Sequence, residues 1–197
     1  MSKIPKQKVG KALDYSRELN LPDETAAFNR YREIVKKLLN VNAWNDIATG
    51  ISAEFVIVNE NNEIQDRRVK KYDFIRIDIP GPGAPSAGGF DWVQVTAFDQ
   101  TDQHNKRKTF LSLQPCPDPR TFDTNTAHFF KKFTSSNIVI KQEDNRVMLQ
   151  YAGRNEVINT ETDHLLDNIR NFLVGLGAKL GASYPQWKAL IDGLAKN

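Results

Sequence analysis

Apolar residues recur at helical spacing near both ends of the chain. A weak pattern predicts a helix over residues 9–19, and a similar spacing predicts two helices within residues 162–195. The chain in this prediction begins with a flexible tail at residues 1–8 and a helical segment at residues 9–40. The clearest stripe lies within residues 23–39 and predicts an amphipathic helix; it consists of Phe28, Tyr31, Val35 and Leu38.

The middle of the chain, residues 53–152, alternates between the two faces of predicted strands. Ile75 and Ile77 share one face, and Val93 and Val95 repeat the arrangement. The side chains expected on the opposite face of the second of these strands are Trp92, Gln94, Thr96 and Phe98. Strands are predicted at residues 53–58, 72–79, 91–98 and 109–113, and a hairpin over residues 138–151 adds two more.

These elements predict an α+β fold in one domain, residues 1–197. A six-stranded antiparallel sheet or partly closed barrel is expected to be flanked by N- and C-terminal helices. Two architectures fit this order. In one, a strongly curved sheet grips the long C-terminal helix with a ligand cavity between them, and in the other a small SH3-like barrel carries additional helices. The first is favoured because it buries the apolar stripe of the C-terminal helix more completely.

The composition favours a folded cytoplasmic protein. With 197 residues, 40% of them hydrophobic and 11 of them Phe, the chain can bury a substantial core. Its single cysteine, Cys116, cannot form an internal disulfide, and the sequence shows no apolar stretch typical of a signal peptide or a membrane span. We therefore expect a cytoplasmic location and no membrane association.

The sequence carries no recognisable catalytic or metal-binding motif. His104, His128 and His164 are far apart in sequence, which is not the spacing of metal ligands. No G-x-S-x-G motif is present, and Cys116 is more typical of a small, partly buried residue than of a nucleophile. The sequence thus predicts no catalytic residue, metal site or cofactor. It favours a non-enzymatic binding module over an enzyme whose site is formed by residues distant in sequence.

The most distinctive segment is a Pro/Gly loop between two predicted strands. It begins I-P-G-P-G at Ile79 and returns through Gly88 and Gly89 to D-W-V at Asp91. Three prolines remove backbone donors, no Lys-Ser/Thr pair closes the loop, and a strand rather than a helix follows, so phosphate binding is disfavoured. Long loops on rigid scaffolds often carry binding sites. This loop is therefore the favoured location for a ligand.

The I-P-G-P-G start and D-W-V end of the loop resemble a segment of small uncharacterised bacterial proteins. The resemblance covers a short part of the chain. It implies no activity and assigns no role to any residue.

The strands on either side of the loop carry a mixed aromatic and polar face. Such a mixture suits a ligand site, because rings give contact area and polar groups fix orientation. The alternative is a face partly covered by a helix, with its charges solvated or paired. We expect a small molecule or a protein to bind there, with Trp92 half-exposed at the mouth of the loop. The predicted ligand-binding residues are Phe74, Arg76, Asp78, Gly81, Gly83, Gly88, Gly89, Trp92 and Gln94.

Two basic clusters, at residues 67–71 and 106–108, suggest a second interpretation of this region. They lie at the ends of strands that carry Phe74 and Trp92, and single-strand nucleic-acid binders combine such charges with stacking rings. Acidic neighbours, among them Asp66 and Asp99, dilute the charge, and the sequence pI of about 8.9 lies below the usual range for such proteins. Nucleic-acid binding is therefore expected to be weak, and the oligomeric state is left open.

Overall fold

The computed structural model describes residues 4–8, 11–48, 53–78, 90–120, 134–156 and 185–196. The Pro/Gly loop and the first of the two predicted C-terminal helices lie outside these residues. Among the helices that are described, none is both long and apolar enough to cross a membrane. The elements in chain order are β1 (Lys11–Asn20), α1 (Glu24–Leu39), a 3₁₀ turn (Val41–Ala43), α2 (Trp44–Ile47), β2 (Glu54–Val58), β3 (Phe74–Asp78), β4 (Asp91–Gln103), β5 (Lys106–Pro115), β6 (Ser135–Glu143) and β7 (Arg146–Glu156), followed by a C-terminal helix at residues 185–195.

The strands in the described part of the chain form one antiparallel sheet. Their order is β1-β7-β6-β5-β4-β3-β2, and every neighbouring pair is antiparallel. Because β1 and β2 lie at opposite edges, the sheet is open rather than closed into a barrel. The predicted α+β class is confirmed, but the sheet has seven strands and not six.

The additional strand is β1, which occupies the segment predicted as the first helix. The prediction of a helix over residues 9–19 is wrong. Leu13, Tyr15 and Leu19 pack against the core with a period of two, and β1 pairs with β7 along its length. Pairing with a distant strand therefore outweighs a weak local preference for helix.

Residues just before β1, within the segment predicted as a flexible tail, are hydrogen-bonded to the end of β7. The Lys8 amide donates to Asn155 Oδ1 over 2.6 Å, and the Asn155 amide donates to Gln7 Oε1 over 2.9 Å. These contacts hold residues 7 and 8 beside the sheet.

The helix predicted over residues 23–39 forms as α1. Its N-terminal cap and its apolar stripe both favour a helix at this position. Asp23 Oδ1 accepts a hydrogen bond from the Ala26 amide over 2.8 Å, which satisfies one of the free donors at the helix start. Tyr31 shares a buried hydrogen bond of 2.8 Å with Thr109 of β5. We call the face of the sheet on which α1 packs the inner face. Six strands contribute fully buried residues to its core, among them Ile57, Ile75, Val95, Leu111, Ile138 and Leu149.

The sheet curves strongly around the C-terminal helix. Trp187 of that helix stacks on Tyr151 of β7 with ring centroids 5.5 Å apart, and it lies 6.1 Å from Phe55 of β2. In a flat sheet β7 and β2 would be about 24 Å apart, because neighbouring strands are spaced by about 4.8 Å. Both strands reach one indole ring only if the sheet bends around it. The open sheet bends around the shorter C-terminal helix, and the long C-terminal helix of the curved-sheet prediction lies outside the described residues.

A buried arginine of α1 caps the C-terminal end of the C-terminal helix. Arg30 Nη2 donates to the carbonyl oxygens of Ala195 and Lys196 over 3.0 and 2.5 Å, and Nη1 pairs with Glu33 over 2.6 Å. The last carbonyls of a helix have no partner within the helix, and a cation there also complements the helix dipole. Arg30 thus fixes the C-terminal helix against α1.

Asp192 connects the C-terminal helix to β1. Its carboxylate accepts a hydrogen bond of 2.6 Å from the Tyr15 hydroxyl and pairs with Arg17 and Lys188, each over 2.8 Å. Burial opposes ionisation of this carboxyl, but the hydrogen bonds from Lys188 and Tyr15 outweigh it and lower the pKa of Asp192. The C-terminal helix is therefore held on two sides by charged groups.

Replacing Gly193 with alanine is expected to destabilise the protein by about 1–3 kcal/mol, the range for overpacking a filled site. A Cβ at Gly193 would lie 2.0 Å from the Ile47 carbonyl oxygen and 2.7 Å from its carbon, so the backbone of α2 must move. Chemical denaturation of both proteins measures this change. At an unconstrained helix position the same substitution stabilises by about 1 kcal/mol, and a gain of that sign would show that the close approach is wrong.

Substituting Asp192 with asparagine is expected to make the free energy of unfolding depend less on pH under acidic conditions. The pKa of Asp192 is lowered in the folded state from its ordinary value of 3.8, so ionisation stabilises the fold above that value and the effect is lost as the pH falls through the folded pKa. Denaturation midpoints of wild type and Asp192→Asn should differ most at neutral pH, and the difference should shrink as the pH falls below 3.8 through the lowered pKa of the folded state. A constant difference across this range would contradict the linkage.

Candidate functional site

A second, smaller apolar cluster lies on the outer face of the sheet, opposite the helices. It is formed by alternate residues of strands β2, β3 and β4, whose other residues face the main core. We call this group the outer-face cluster. Its members are Val56, Val58 and Trp92, with Phe74, Phe90 and Cys116 packed against them.

Strand register brings four of the predicted ligand-binding residues together at this cluster. Arg76 lies opposite Trp92, and Phe74 lies opposite Gln94; paired residues of neighbouring strands share a face of the sheet. Asp78 is exposed at the end of β3, opposite Glu54 of β2. The remaining predicted residues fall outside the described part of the chain; they are Gly81, Gly83, Gly88 and Gly89.

Trp92 lies on the predicted face but is not half-exposed. Only 4% of its surface is accessible, because neighbouring groups cover the ring. Phe90 meets it edge-on with centroids 6.4 Å apart, and the guanidinium of Arg120 lies 5.8 Å from its centroid. The prediction of an exposed anchor is therefore wrong, and Trp92 forms the base of the cluster.

A β-bulge in β4 reverses the face of the residues that follow it. The register with β5 shifts between Val95 and Ala97, so that Thr96 is the additional residue. Beyond it, Phe98 lies opposite Leu111 and packs against the main core. Strict alternation had placed Phe98 on the outer face, and the bulge is the physical reason that this prediction is wrong.

Arg76 is the most unusual polar residue of the outer-face cluster. Its guanidinium lies 4.6 Å from the centroid of Phe90, and Nη1 donates to Asn62 Oδ1 over 2.9 Å. Nε is buried and has no hydrogen-bond partner. Among the described residues no carboxylate forms an ion pair with Arg76, including Asp78 two residues away.

A second arginine beside the cluster is fully paired. Arg120 approaches Asp118 side-on, with Nε 3.0 Å from Oδ1 and Nη2 2.6 Å from Oδ2. The hydrogen bonds from Arg120 lower the pKa of Asp118. The Cys116 thiol lies nearby, and burial, together with the charge of Asp118, raises its pKa to about 12. Cys116 is consequently a neutral thiol near pH 7 and a poor nucleophile.

The basic clusters that suggested nucleic-acid binding are partly neutralised by acidic partners. Arg67 makes two hydrogen bonds to Asp73, of 2.6 and 2.9 Å, and Lys106 pairs with Glu143 over 2.5 Å. Arg107 Nε lies 2.9 Å from Asp102 without hydrogen-bond alignment. These pairs engage one of the four cations at residues 67–71 and two of the three at residues 106–108.

The sequence prediction missed three residues at or beside this site. Asn62 belongs to the connection between β2 and β3 and adopts a positive φ of 63°, a conformation that asparagine tolerates well. Phe90 precedes β4 and provides the ring under Arg76. Tyr72 is 64% exposed beside Gln94, whose side chain donates to its carbonyl over 3.3 Å. The Asn59–Asn62 run was a visible turn signal, but no local pattern indicated the other two contacts.

Metal chemistry has no evident support in the part of the chain that is described. No group of three or more His, Cys, Asp or Glu side chains there could hold a metal ion. Of the three histidines, His128 and His164 lie outside these residues.

Comparisons with known proteins identify only distant structural likenesses. No protein-family model matches the chain, and no curated protein matches its sequence. A hypothetical protein from Helicobacter pylori has 10% identity and a TM-score of 0.46, with 98% of this chain and 96% of that chain covered. Truncated norcoclaurine synthase from Thalictrum flavum has 7% identity and a TM-score of 0.39, covering 98% and 99%. A major latex-like protein from Panax ginseng has 12% identity and a TM-score of 0.34, covering 88% and 98%. These values are too low to transfer a function.

Truncating Trp92 to alanine is expected to cost about 3–5 kcal/mol, the range for emptying a buried aromatic site. The ring is almost fully buried among Val56, Val58 and Phe90. Urea denaturation should show a lower midpoint with an unchanged slope. Phe74→Ala is the matched control, because Phe74 is only half-buried in the same cluster and its loss should cost less. A small effect for Trp92 would place it at an exposed surface instead.

Proposed function

We propose that this protein is a non-enzymatic binding module whose ligand docks on the outer-face cluster beside Arg76. The ligand is a small molecule or a segment of a protein. In this proposal the Pro/Gly loop that connects β3 to β4 contributes further contacts, through Gly81, Gly83, Gly88 and Gly89. Phe74, Gln94 and Asp78 border the position of Arg76 on the same face.

The observation that carries the proposal is the incomplete hydrogen bonding of Arg76. A buried donor without an acceptor costs about 1–3 kcal/mol, and more when the group is charged. Arg76 retains such a donor at Nε although its Nη1 is satisfied by Asn62. A ligand that supplies an acceptor would recover this free energy, so the site favours an occupied state.

The surroundings of Arg76 supply the other properties of a ligand site. Phe74, Phe90 and Val56 offer apolar contact area, and Gln94 adds an amide that can fix orientation. Rings with a few convergent polar groups are typical of small-molecule sites. The high pKa of Cys116 removes the only thiol of the chain as a nucleophile at this cluster, which favours binding over catalysis.

Single-stranded nucleic acid fits the cluster less well. Stacking on Trp92 requires an exposed ring, and 4% exposure does not permit it. The neighbouring cations Arg67 and Lys106 are paired with carboxylates. A polyanion would have to displace those partners before it gained their charge.

A nuclear magnetic resonance titration with small fragments tests the location of the site. We expect a mixture of aromatic acids, amides and amines to shift backbone amide signals of β3 and β4 near Arg76 and Gln94. Arg76→Ala should reduce these shifts, whereas Arg146→Ala, at an exposed arginine of β7, serves as the matched control and should not. Shifts confined to inner-face residues around Trp187, or no shift at all, would contradict the proposal.

A further inference from the structure

We infer that the group bound by Arg76 is a carboxylate, held side-on by Nε and Nη2. This inference rests on the proposed function, because it assumes that a ligand occupies the outer-face cluster. It adds the chemical class of that ligand, a monocarboxylic acid with an apolar body. Three features of the molecule support it: the open edge of the Arg76 guanidinium, the arrangement at Arg120 and the charges nearby.

The hydrogen bond to Asn62 leaves one particular edge of the Arg76 guanidinium open. A guanidinium is planar and presents five N–H groups in fixed directions. Nη1 is used by Asn62 Oδ1 at 2.9 Å. The edge on which Nε–H and one Nη2–H point in parallel makes no hydrogen bond within the described residues. Two parallel donors match the two oxygens of a carboxylate, which is why such pairs are bidentate.

The same chain contains this arrangement a short distance away. Arg120 presents its Nε and Nη2 edge to Asp118, with distances of 3.0 and 2.6 Å to the two carboxylate oxygens. Both arginines lie over aromatic rings of the outer-face cluster, Arg120 over Trp92 and Arg76 over Phe90. They differ in that no carboxylate of the described segments pairs with Arg76. A carboxylate bound to Arg76 would therefore make the contacts that Asp118 makes with Arg120.

Charges and apolar neighbours favour a monocarboxylate over a phosphate. Asp78 is two residues from Arg76 on the same strand, on the same face, and Glu54 is paired with Asp78. Their negative charge opposes a dianion about twice as strongly as a monoanion. Val56 and Phe74 lie beside Arg76 and suit a hydrocarbon body attached to the acid group. An aromatic or aliphatic monocarboxylic acid meets all of these conditions.

Burial of Nε also sets an expectation for affinity. Because Nε is inaccessible to solvent in this structure, a carboxylate reaches it only after the groups that cover it separate. Only the molecules in which Nε is already accessible can bind, so the observed affinity is lowered in proportion to their fraction. We therefore expect weak binding of minimal probes, which magnetic resonance titration measures well.

The test compares phenylacetate with its neutral amide, phenylacetamide, and with phenyl phosphate. The Arg76 Nε–H signal is assigned by its absence in Arg76→Lys. We expect phenylacetate to move this signal and the β3 and β4 amides, with phenylacetamide and phenyl phosphate binding at least about tenfold more weakly. Arg76→Lys keeps the charge but loses the parallel donors, so phenylacetate affinity should fall about tenfold. Arg146→Lys is the control and should leave it unchanged.

A second variant keeps the inference testable if Arg76→Lys does not fold. Asp78→Asn removes the nearest negative charge along β3, and phenylacetate should bind about two- to threefold more tightly at low ionic strength. An unchanged or weaker affinity would count against an anionic ligand.

The outcomes separate the inference from the proposed function. Equal shifts of β3 and β4 by phenylacetate and phenylacetamide, with Arg76 Nε–H unmoved, would overturn the carboxylate while leaving the site in place. Tighter binding of phenyl phosphate would also overturn it. If no probe shifts β3 or β4, both the site and the carboxylate are wrong.

Discussion

The contact of Trp187 with strands near both sides of the sheet determines much of this structure. One indole ring touches Tyr151 of β7 and Phe55 of β2, so the sheet bends until strands that are far apart in its order meet the same helix. Burying a large aromatic residue at this junction stabilises the curvature. Trp44 adds an edge-on contact to the same ring, which draws α2 into the junction.

The two faces of this curved sheet carry different kinds of side chains. The inner face is filled by aliphatic and aromatic groups from α1, the C-terminal helix and six strands. The outer face of β2, β3 and β4 receives the alternate residues, among them Arg76, Phe74 and Trp92. A charged residue is tolerated there because it can use polar partners at the sheet surface. The candidate site therefore lies on the face of the sheet opposite the helices that the structure describes.

The sequence predicts those features that depend on residues close together in the chain. α1 follows from the cap at Asp23 and the stripe through Tyr31, and the common face of Phe74 and Arg76 follows from alternation. β1 was missed because its partner β7 lies far away in sequence; Asp14 and Arg154, which join the two, are 140 residues apart. The burial of Trp92 was missed for the same reason, because it depends on residues far away in sequence. Alternation gives its face, but its burial depends on groups from other segments.

Comparison with Arg30 and Arg120 shows how Arg76 differs from these two arginines. Arg30 satisfies two helix carbonyls and pairs with Glu33, and Arg120 is held by both oxygens of Asp118. Arg30 is removed from water where acceptors replace the lost hydration, as the cost of burying charge requires, whereas Arg120 remains partly exposed. Arg76 has a ring on one side and a single amide oxygen at Nη1. Its neighbours hold the guanidinium in place without completing its hydrogen bonds, and the proposed carboxylate site rests on this observation.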